Sequence, residues 1–508
     1  MSSPAYSGEA LKRSAWHFLN GKAASALLTF FILLWVVRLL PVAEYGAYVT
    51  LVASVELAVI IATLGLPWLA ARYVPEFRLH APGPRLRHLV LSLLAWQGIA
   101  LAGLAGFLAT GLGAFLAWVD LAPYHAAAQF YLLILLAEGF GRQIRESLLG
   151  PLLLQGIAQF SLVARNLAFI VLLAVAALTG QVSLMDVVQA ELAASALGAL
   201  LAFGGLLRHL KETDAMPGKN DWQEPTLAVM WRTASHMYFS YLLTLLYSPQ
   251  IFLLFIQRYL GAEAAAVFGF MRTLYEQISR YLPATLLFGL VRPKLVASYV
   301  GGGGVDELSR NANMAGKLSL FVLMPLVAFA GVAGQELITL LSGAKFSETG
   351  LLFLGFTLAL IPFSQRQLLE TVAVASGNSQ LCTRAAASGL LMLPLMVGLL
   401  IADFKLWAPV IVLGVGHLVF NGLILAGIVR HTGYRPDARG FYKLLTASLA
   451  GFLVSVWLPA MQPEWVYLFA VALLASAGFL LVAWWIKPFA KEERERLNRL
   501  LNRQIFIW

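Results

Sequence analysis

Apolar stretches of about twenty residues, separated by short polar connections, recur along the whole 508-residue chain. Each is close to the ~20 residues that an α-helix needs to cross the hydrocarbon layer of a bilayer. The pattern predicts about 14 spans, over residues 16–40, 46–71, 89–117, 127–149, 153–178, 186–207, 234–257, 264–290, 313–341, 349–374, 383–401, 408–429, 443–460 and 465–486. The expected fold class is therefore an all-α polytopic membrane protein, with no room for a soluble domain. The first apolar run, from about Trp16 to Leu40, is long enough to stay as a spanning helix rather than be cleaved as a signal peptide.

The polar connections supply the orientation. One alternate set holds Lys12 and Arg13, then Arg72, Arg78, Arg85 and Arg87, then Arg142 and Arg145, and continues to the basic tail after Lys487. The other set holds little beyond Arg38, Arg258, Lys345 and Lys405. Basic loops stay on the cytoplasmic side, so both termini are expected there and the number of spans is expected to be even. The outward loops are all short, which argues against an enzyme working on external substrates. Composition agrees: the chain is 60% hydrophobic and 12% charged, with a mean hydropathy of +0.77, where soluble domains are ~25% charged. The net charge of +10 is accounted for by topology and does not point to nucleic acid. A single cysteine, Cys382, excludes an internal disulfide and a cysteine-rich metal site.

The longest polar connection, RHLKETDAMPGKNDWQEP at 208–225, divides the pattern. It suggests an N-terminal six-helix lobe (1–207), a cytoplasmic linker (208–233), a C-terminal six-helix lobe (234–430), helices 13 and 14 (431–487) and a cytoplasmic amphipathic tail (488–508). The corners VVRLLPVAEYGAYV and FIQRYLGAEAAAVF share an Arg, a tight turn, an acid and small residues. That is the pattern of a parallel repeat around a central site. In the tail, Leu497, Leu500, Leu501 and Ile505 fall on one helical face, which suits a helix lying on the inner membrane surface or a charged solubilising tail.

Charges inside the spans are the candidate chemistry. Within MRTLYEQISRYLPATLLFGLVRP (271–293), Arg272, Glu276 and Arg280 lie one turn apart, in an arc of about 80° and over about 12 Å of helix axis. Each such charge costs roughly 2.5–3.5 kcal/mol to insert near the bilayer centre. Glu276 can pair with both arginines at i±4, which leaves one positive charge in excess. Arg165 lies in the fifth span, and Arg366 in the tenth with Glu370 at i+4. Glu138 lies in the fourth, with Arg142 at i+4, and Glu56 in the second. Two readings stay open. In one, Arg272, Arg280, Arg165 and Arg366 line a water-filled cationic cavity, with Glu276, Glu370, Glu138 and Glu56 as charge partners or ion-coupling groups. In the other, the same residues are a clamp that holds helices together. Guanidinium groups match phosphate oxygens two at a time, so a polyanionic headgroup suits the first reading. No cofactor is expected: there is no Walker A sequence, no metal-ligand spacing among His17, His236 and His417, and no Ser-His-Asp arrangement. The GGGG at 301–304 follows a helix without a Lys-Ser/Thr and reads as a flexible loop.

The N-terminal run LKRSAWHFLNGKAASALLTFFILLWVVRLLPVAEYGAY, with its Glu44-Tyr45-Gly46 step, is followed by LGLPWLAARYVPEF. Together with GAKFSETGLLFLGFTLALIPF and ASGNSQ at 375–380, it resembles the polysaccharide-flippase branch of the multidrug/oligosaccharidyl-lipid/polysaccharide exporter superfamily. The resemblance covers essentially the whole chain and rests on soft patterns of Gly, Arg and aromatic residues. It implies a two-lobed, V-shaped transporter that moves polyprenyl-diphosphate-linked oligosaccharide units across the bacterial inner membrane by alternating access. Such a protein serves surface polysaccharide synthesis (lipopolysaccharide or exopolysaccharide), beside polymerase and chain-length proteins. In the related lipid II flippases the last two helices help form a groove for the lipid tail. Here the second span carries Glu56 and no arginine, so their cationic cluster does not transfer residue by residue. An ion-coupled drug or cation antiporter of the same fold, a membrane glycan polymerase or acyltransferase, and a scaffold are the alternatives.

Overall fold

The computed structural model describes residues 8–214, 218, 222–286, 304–461, 464–501 and 503–508. Its described residues are helical with short connections and no strand. Helices α1 (Gly8–Leu39), α2 (Val42–Ala62), α3 (Leu66–His80), α4 (Gly83–Trp118) and α5 (His125–Arg142) come first. A π-helical turn over Gln143–Leu149 leads to α6 (Gln155–Thr179), α7 (Leu184–Thr213) and α8 (Leu227–Leu245). Then follow α9 (Pro249–Tyr281), α10 (Pro283–Leu286), α11 (Gly304–Ser342), α12 (Gly350–Ala375), α13 (Gln380–Ala387) and α14 (Gly389–Ile401). The chain ends with α15 (Trp407–Thr432), α16 (Ala438–Ser455), α17 (Glu464–Ile486) and α18 (Lys491–Leu501). Eleven helices among the described residues are long and apolar enough to cross a membrane. The chain is a multi-pass membrane protein.

Eleven differs from the expected fourteen for local reasons. The expected fourth span is α5, which carries Glu138 and Arg142 and gives way to the π-helical turn. The thirteenth is the 18-residue α16. The seventh and eighth merge, because the helical run passes through the expected YLGAE loop and bends at Gly261 (φ 84°, ψ 179°). That backbone conformation is open to glycine alone. The seventh span is also interrupted earlier. Ser248 caps α9 by accepting from the Ile251 N–H (3.4 Å), and Pro249 opens the first turn, where its missing N–H costs nothing. A similar break ends the second span at Ala62. Leu64 and Gly65 take positive φ, and Pro67 starts the amphipathic α3. Arg292, Lys294, the rest of the expected eighth span and Gly301–Gly303 lie outside the described residues.

The chain forms two compact units. The first holds residues up to Leu245 together with Leu253–Gly269. Its core joins α3, α4, α7 and α8 through Leu69, Phe77, Leu89, Leu206, Met230 and neighbours. Within it α2 packs directly on the second half of α9: a Cβ on Gly46 would overlap the Ala262 carbonyl oxygen. Thr50 Oγ1 donates to Gln257 Oε1 at 3.3 Å. The two corners that look like repeats are therefore in contact. Beside them, Glu44 accepts the Leu184 N–H at 2.7 Å and so caps α7.

The second unit holds Leu246–Phe252 and Phe270–Trp508. Its tail packs its apolar face on the unit itself, a contact that the sequence reading did not include. Leu497 on α18, with Phe489 and Phe506, is buried against Met314, Leu318 and Phe321 of α11. Burying each such side chain contributes about 1.5–3 kcal/mol. A polar lock sits beside this apolar seam. Lys317 of α11, which is fully buried, donates to Asp437 Oδ2 and Glu493 Oε2, both at 2.6 Å, and to the Pro488 carbonyl at 3.2 Å.

Candidate functional site: intramembrane charge clusters

In the first unit the charges converge on Arg165, at the middle of α6. Its Nε lies 3.1 Å from Glu138 Oε2 on α5, and its Nη2 3.5 Å from Glu191 Oε1 on α7. It also donates to Ser195 (3.3 Å) and to Asn166 (3.2 Å). Asn166 in turn reaches Ser25 and Thr29 on α1, at 3.3 and 3.2 Å. Glu138 further pairs with Arg145 at 2.8 Å and, more loosely, with Arg142 at 3.9 Å. Tyr131 donates to Glu191 Oε2 at 3.1 Å. Glu56, on α2, is half-buried and adds its charge to the field at Glu191. The cluster ties α1, α5, α6 and α7 together, and its three arginines face three glutamates. Two expected residues, Arg165 and Glu138, are thus brought into direct contact.

Glu191 was not among the residues picked out from the sequence. Its signal was available: it is the one acid in the otherwise small and apolar run AELAASALGALL of α7.

In the second unit the ladder on α9 is built as its spacing requires. Glu276 sits between its neighbours, 2.8 Å from Arg272 Nε and 3.7 Å from Arg280 Nη2. The two arginines are unequal. The Arg272 side chain is 5% exposed and that of Arg280 55%. On the same helix Tyr275 packs against Phe356 and Phe363 of α12, with ring centroids 5.8 Å apart in each case. Its hydroxyl is 3.5 Å from His417 Nε2 on α15. Arg366, on α12, pairs with Glu370 at 3.0 Å and stacks against Phe420 and Tyr247. Arg272, Arg280 and Arg366 face Glu276 and Glu370, so one positive charge is in excess. Arg280, the most exposed and the most loosely paired, carries it. Tyr247, Phe420 and Lys317 are further members of this unit's interior that the sequence did not single out, and His417 was considered there only as a metal ligand. For Lys317 the signal was a lone cation inside the expected ninth span.

A cluster of this kind can do two things. Carboxylates in ion pairs neutralise buried guanidinium groups and fix helix positions, while an arginine with spare donors can accept an anion two oxygens at a time. Arg165, Arg272 and Arg366 stand mainly in the first role in this conformation, and Arg280 is open to the second.

Comparison with solved structures identifies the fold. A lipid II flippase, MurJ, in an inward closed conformation aligns with a TM-score of 0.65 at 12% identity, over 96% of this chain and 99% of that one. A multidrug-resistance MATE family transporter of the MOP superfamily aligns in its inward-facing conformation with a TM-score of 0.56 at 14% identity, over 80% of this chain and 94% of that one. An outward-facing MATE transporter aligns at 0.50 and 16% identity, over 84% and 96%. At these identities the likeness concerns the fold. A search of the curated proteins gives no match. The model of one family, described as polysaccharide biosynthesis protein, matches residues 11–286, more than half of the chain. On that match the chain belongs to the polysaccharide biosynthesis protein family, carried on the fold of the MOP transporters.

Proposed function

We propose that this protein is a flippase. It moves polyprenyl-diphosphate-linked oligosaccharide units from the cytoplasmic to the outer leaflet of the bacterial inner membrane, by alternating access, for surface polysaccharide synthesis. The observation that carries the reading is the meeting of a polysaccharide biosynthesis family match with a transporter fold. The two six-helix lobes read from the sequence are then the moving parts, with both termini in the cytoplasm. The two helices within 431–487, α16 and α17, flank the lipid tail, and polymerase and chain-length proteins act next to the product.

The physical problem for such a protein is the diphosphate. An ion taken out of water costs several kcal/mol even after relaxation, and guanidinium groups are the side chains best matched to phosphate oxygens. Arg280, with its long 3.7 Å pairing and half-exposed side chain, is the first anion contact in this account, followed by Arg272. Arg165 in the first unit and Arg366 in the second each add positive potential within their own unit, from inside their ion pairs. The antiporter reading is weaker, because a cation site needs an acid without a cation. Glu138, Glu191, Glu276 and Glu370 each hold an arginine; among the residues read from the sequence, Glu56 stays as the ion-coupling candidate.

The test is complementation of glycan export by Arg280→Ala and Arg280→Lys, with folding checked by monodisperse extraction. Loss of export with Ala and partial recovery with Lys supports the assignment. Full export by a folded Arg280→Ala/Arg272→Ala protein removes the ladder from the substrate path.

A further inference from the structure

Arg366 sits in surroundings that an anion-binding arginine does not need. Its guanidinium carbon is 4.1 Å from the Phe420 ring centroid and 5.5 Å from that of Tyr247. Its Nε donates to Glu370 at 3.0 Å. These partners come from three places in the second unit: the turn before α9, α12 itself and α15. The Tyr247 hydroxyl lies within reach of the Arg366 guanidinium, and nearby two buried atoms with lone pairs have no hydrogen-bond partner: His417 Nδ1 and Asn421 Oδ1. Tyr247 and His417 are 3% and 4% exposed, with ring centroids 6.2 Å apart. Asn421 is held against α12 one turn before Arg366 by its 2.6 Å bond to the Pro362 carbonyl. A carboxylate, two aromatic faces and spare lone pairs together make up the recognition chemistry of a weakly hydrated monocation.

We propose that Glu370, Tyr247 and Phe420 form a monocation site inside the second unit, and that the chain fills it with its own Arg366 side chain in place of a diffusible ion. A guanidinium tethered there has no translational entropy left to lose on binding. It also does not exchange with solvent cations. The site is independent of what the protein transports. It makes Arg366 a positioning residue that fixes α12 against α15, and it closes this part of the molecule to ions such as sodium.

Cutting the side chain back should reopen the site. In the full-length protein in detergent, Arg366→Ala is melted by intrinsic tryptophan fluorescence in rising millimolar ethylguanidinium chloride, with sodium and potassium chloride at matched ionic strength. The expected result is a saturable rise in Tm of Arg366→Ala with ethylguanidinium. No rise is expected in the wild type or in Arg366→Ala/Glu370→Gln. A rise with sodium or potassium as well would support the site and widen its selectivity to small ions. Monodisperse Arg366→Ala that responds to no monocation overturns the proposal, and so does an equal rise in the wild type or in the double variant. If Arg366→Ala is not recovered folded, a cycle of Arg366→Lys, Phe420→Leu and the pair reads the stack directly. A double variant that loses less than the sum of the singles supports it, and strictly additive losses overturn it.

Discussion

Lys317→Met is the substitution whose effect can be worked out most fully. Lys317 has a side chain 1% exposed and bridges Asp437 and Glu493 at 2.6 Å each. Met keeps much of its length and apolar stem but removes the charge. The two carboxylates are then left unequal: Glu493 is 11% exposed and Asp437 34%. Asp437 can regain water where it stands, and Glu493 cannot without moving α18. Removing one partner of a buried pair costs about 3–5 kcal/mol, most of it the penalty of the charge left behind. With a single carboxylate stranded, the low end applies, about 3 kcal/mol. At about 1.4 kcal/mol per factor of ten, α18 should open roughly 100-fold more often. The apolar seam of Phe321, Phe489, Phe506 and Trp508 keeps the opening local. Hydrogen exchange of the α18 amides, in protein held in lipid nanodiscs, measures this directly. Protection should fall about 100-fold on α18 and stay unchanged on α4 and α6. Adding Glu493→Gln should return part of it, because the stranded charge is gone. A change of less than about threefold would show that the ion pairs do not hold the tail and that the aromatic seam does so alone.

Glu138→Gln should destabilise the first unit by about 3 kcal/mol, the low end for a broken buried pair, since Arg145 loses its 2.8 Å carboxylate while Arg165 loses the nearer of two and keeps Glu191; the readout is a lowered Tm in detergent, with a drop larger than that of Glu56→Gln. Gly46→Ala should sharply lower the yield of folded protein on size-exclusion chromatography, because its Cβ meets backbone at Ala262 rather than a side chain that can yield. Gly98→Ala, in open space on α4, is the neutral control. The tail lock should also show a defined acid limit. Burial resists ionisation of Asp437, but the hydrogen bond from Lys317, the Gly440 N–H and the charges of Lys317 and Lys443 outweigh it and hold the carboxyl below its ordinary range. A carboxylate with a lowered folded-state value stabilises above its unfolded pKa of about 3.9 and loses that contribution as pH falls through the folded value. Protection of α18, corrected for intrinsic exchange, should therefore be flat from about pH 8 to 5 and fall below about pH 4; a loss centred near neutrality would contradict this.

What could be read from the sequence divides by the range of the interaction. Glu276 with its arginines and Glu370 with Arg366 follow from i±4 spacing, because a helix fixes its own neighbours. The interhelical partners do not follow. Arg165 with Glu191, and Lys317 with Glu493 at a separation of 176 residues, depend on which helix faces pack, and apolarity in a bilayer does not encode that. Lipid and protein are equally apolar to a leucine, so the hydropathy pattern locates helices without orienting them. The helix breaks at Pro67 and Pro249 were local signals hidden by apolar flanks. The amphipathic tail was legible as a helix, and its partner was not. A charged helix with one apolar face suits a membrane surface and a protein groove equally well, and the contact with Lys317 and Phe321 shows the groove that the sequence could not.

The central claim is that this chain carries a lipid-linked glycan between leaflets. The most direct test is the location of that glycan when the protein is depleted. Polyprenyl-linked units are exposed to an external glycosidase before and after the membrane is broken. The account predicts that full-length units accumulate and stay protected until the membrane is broken, and that wild-type protein restores their exposure while a folded Arg280→Ala variant does not. Units that reach the outside normally in the depleted cells would contradict it.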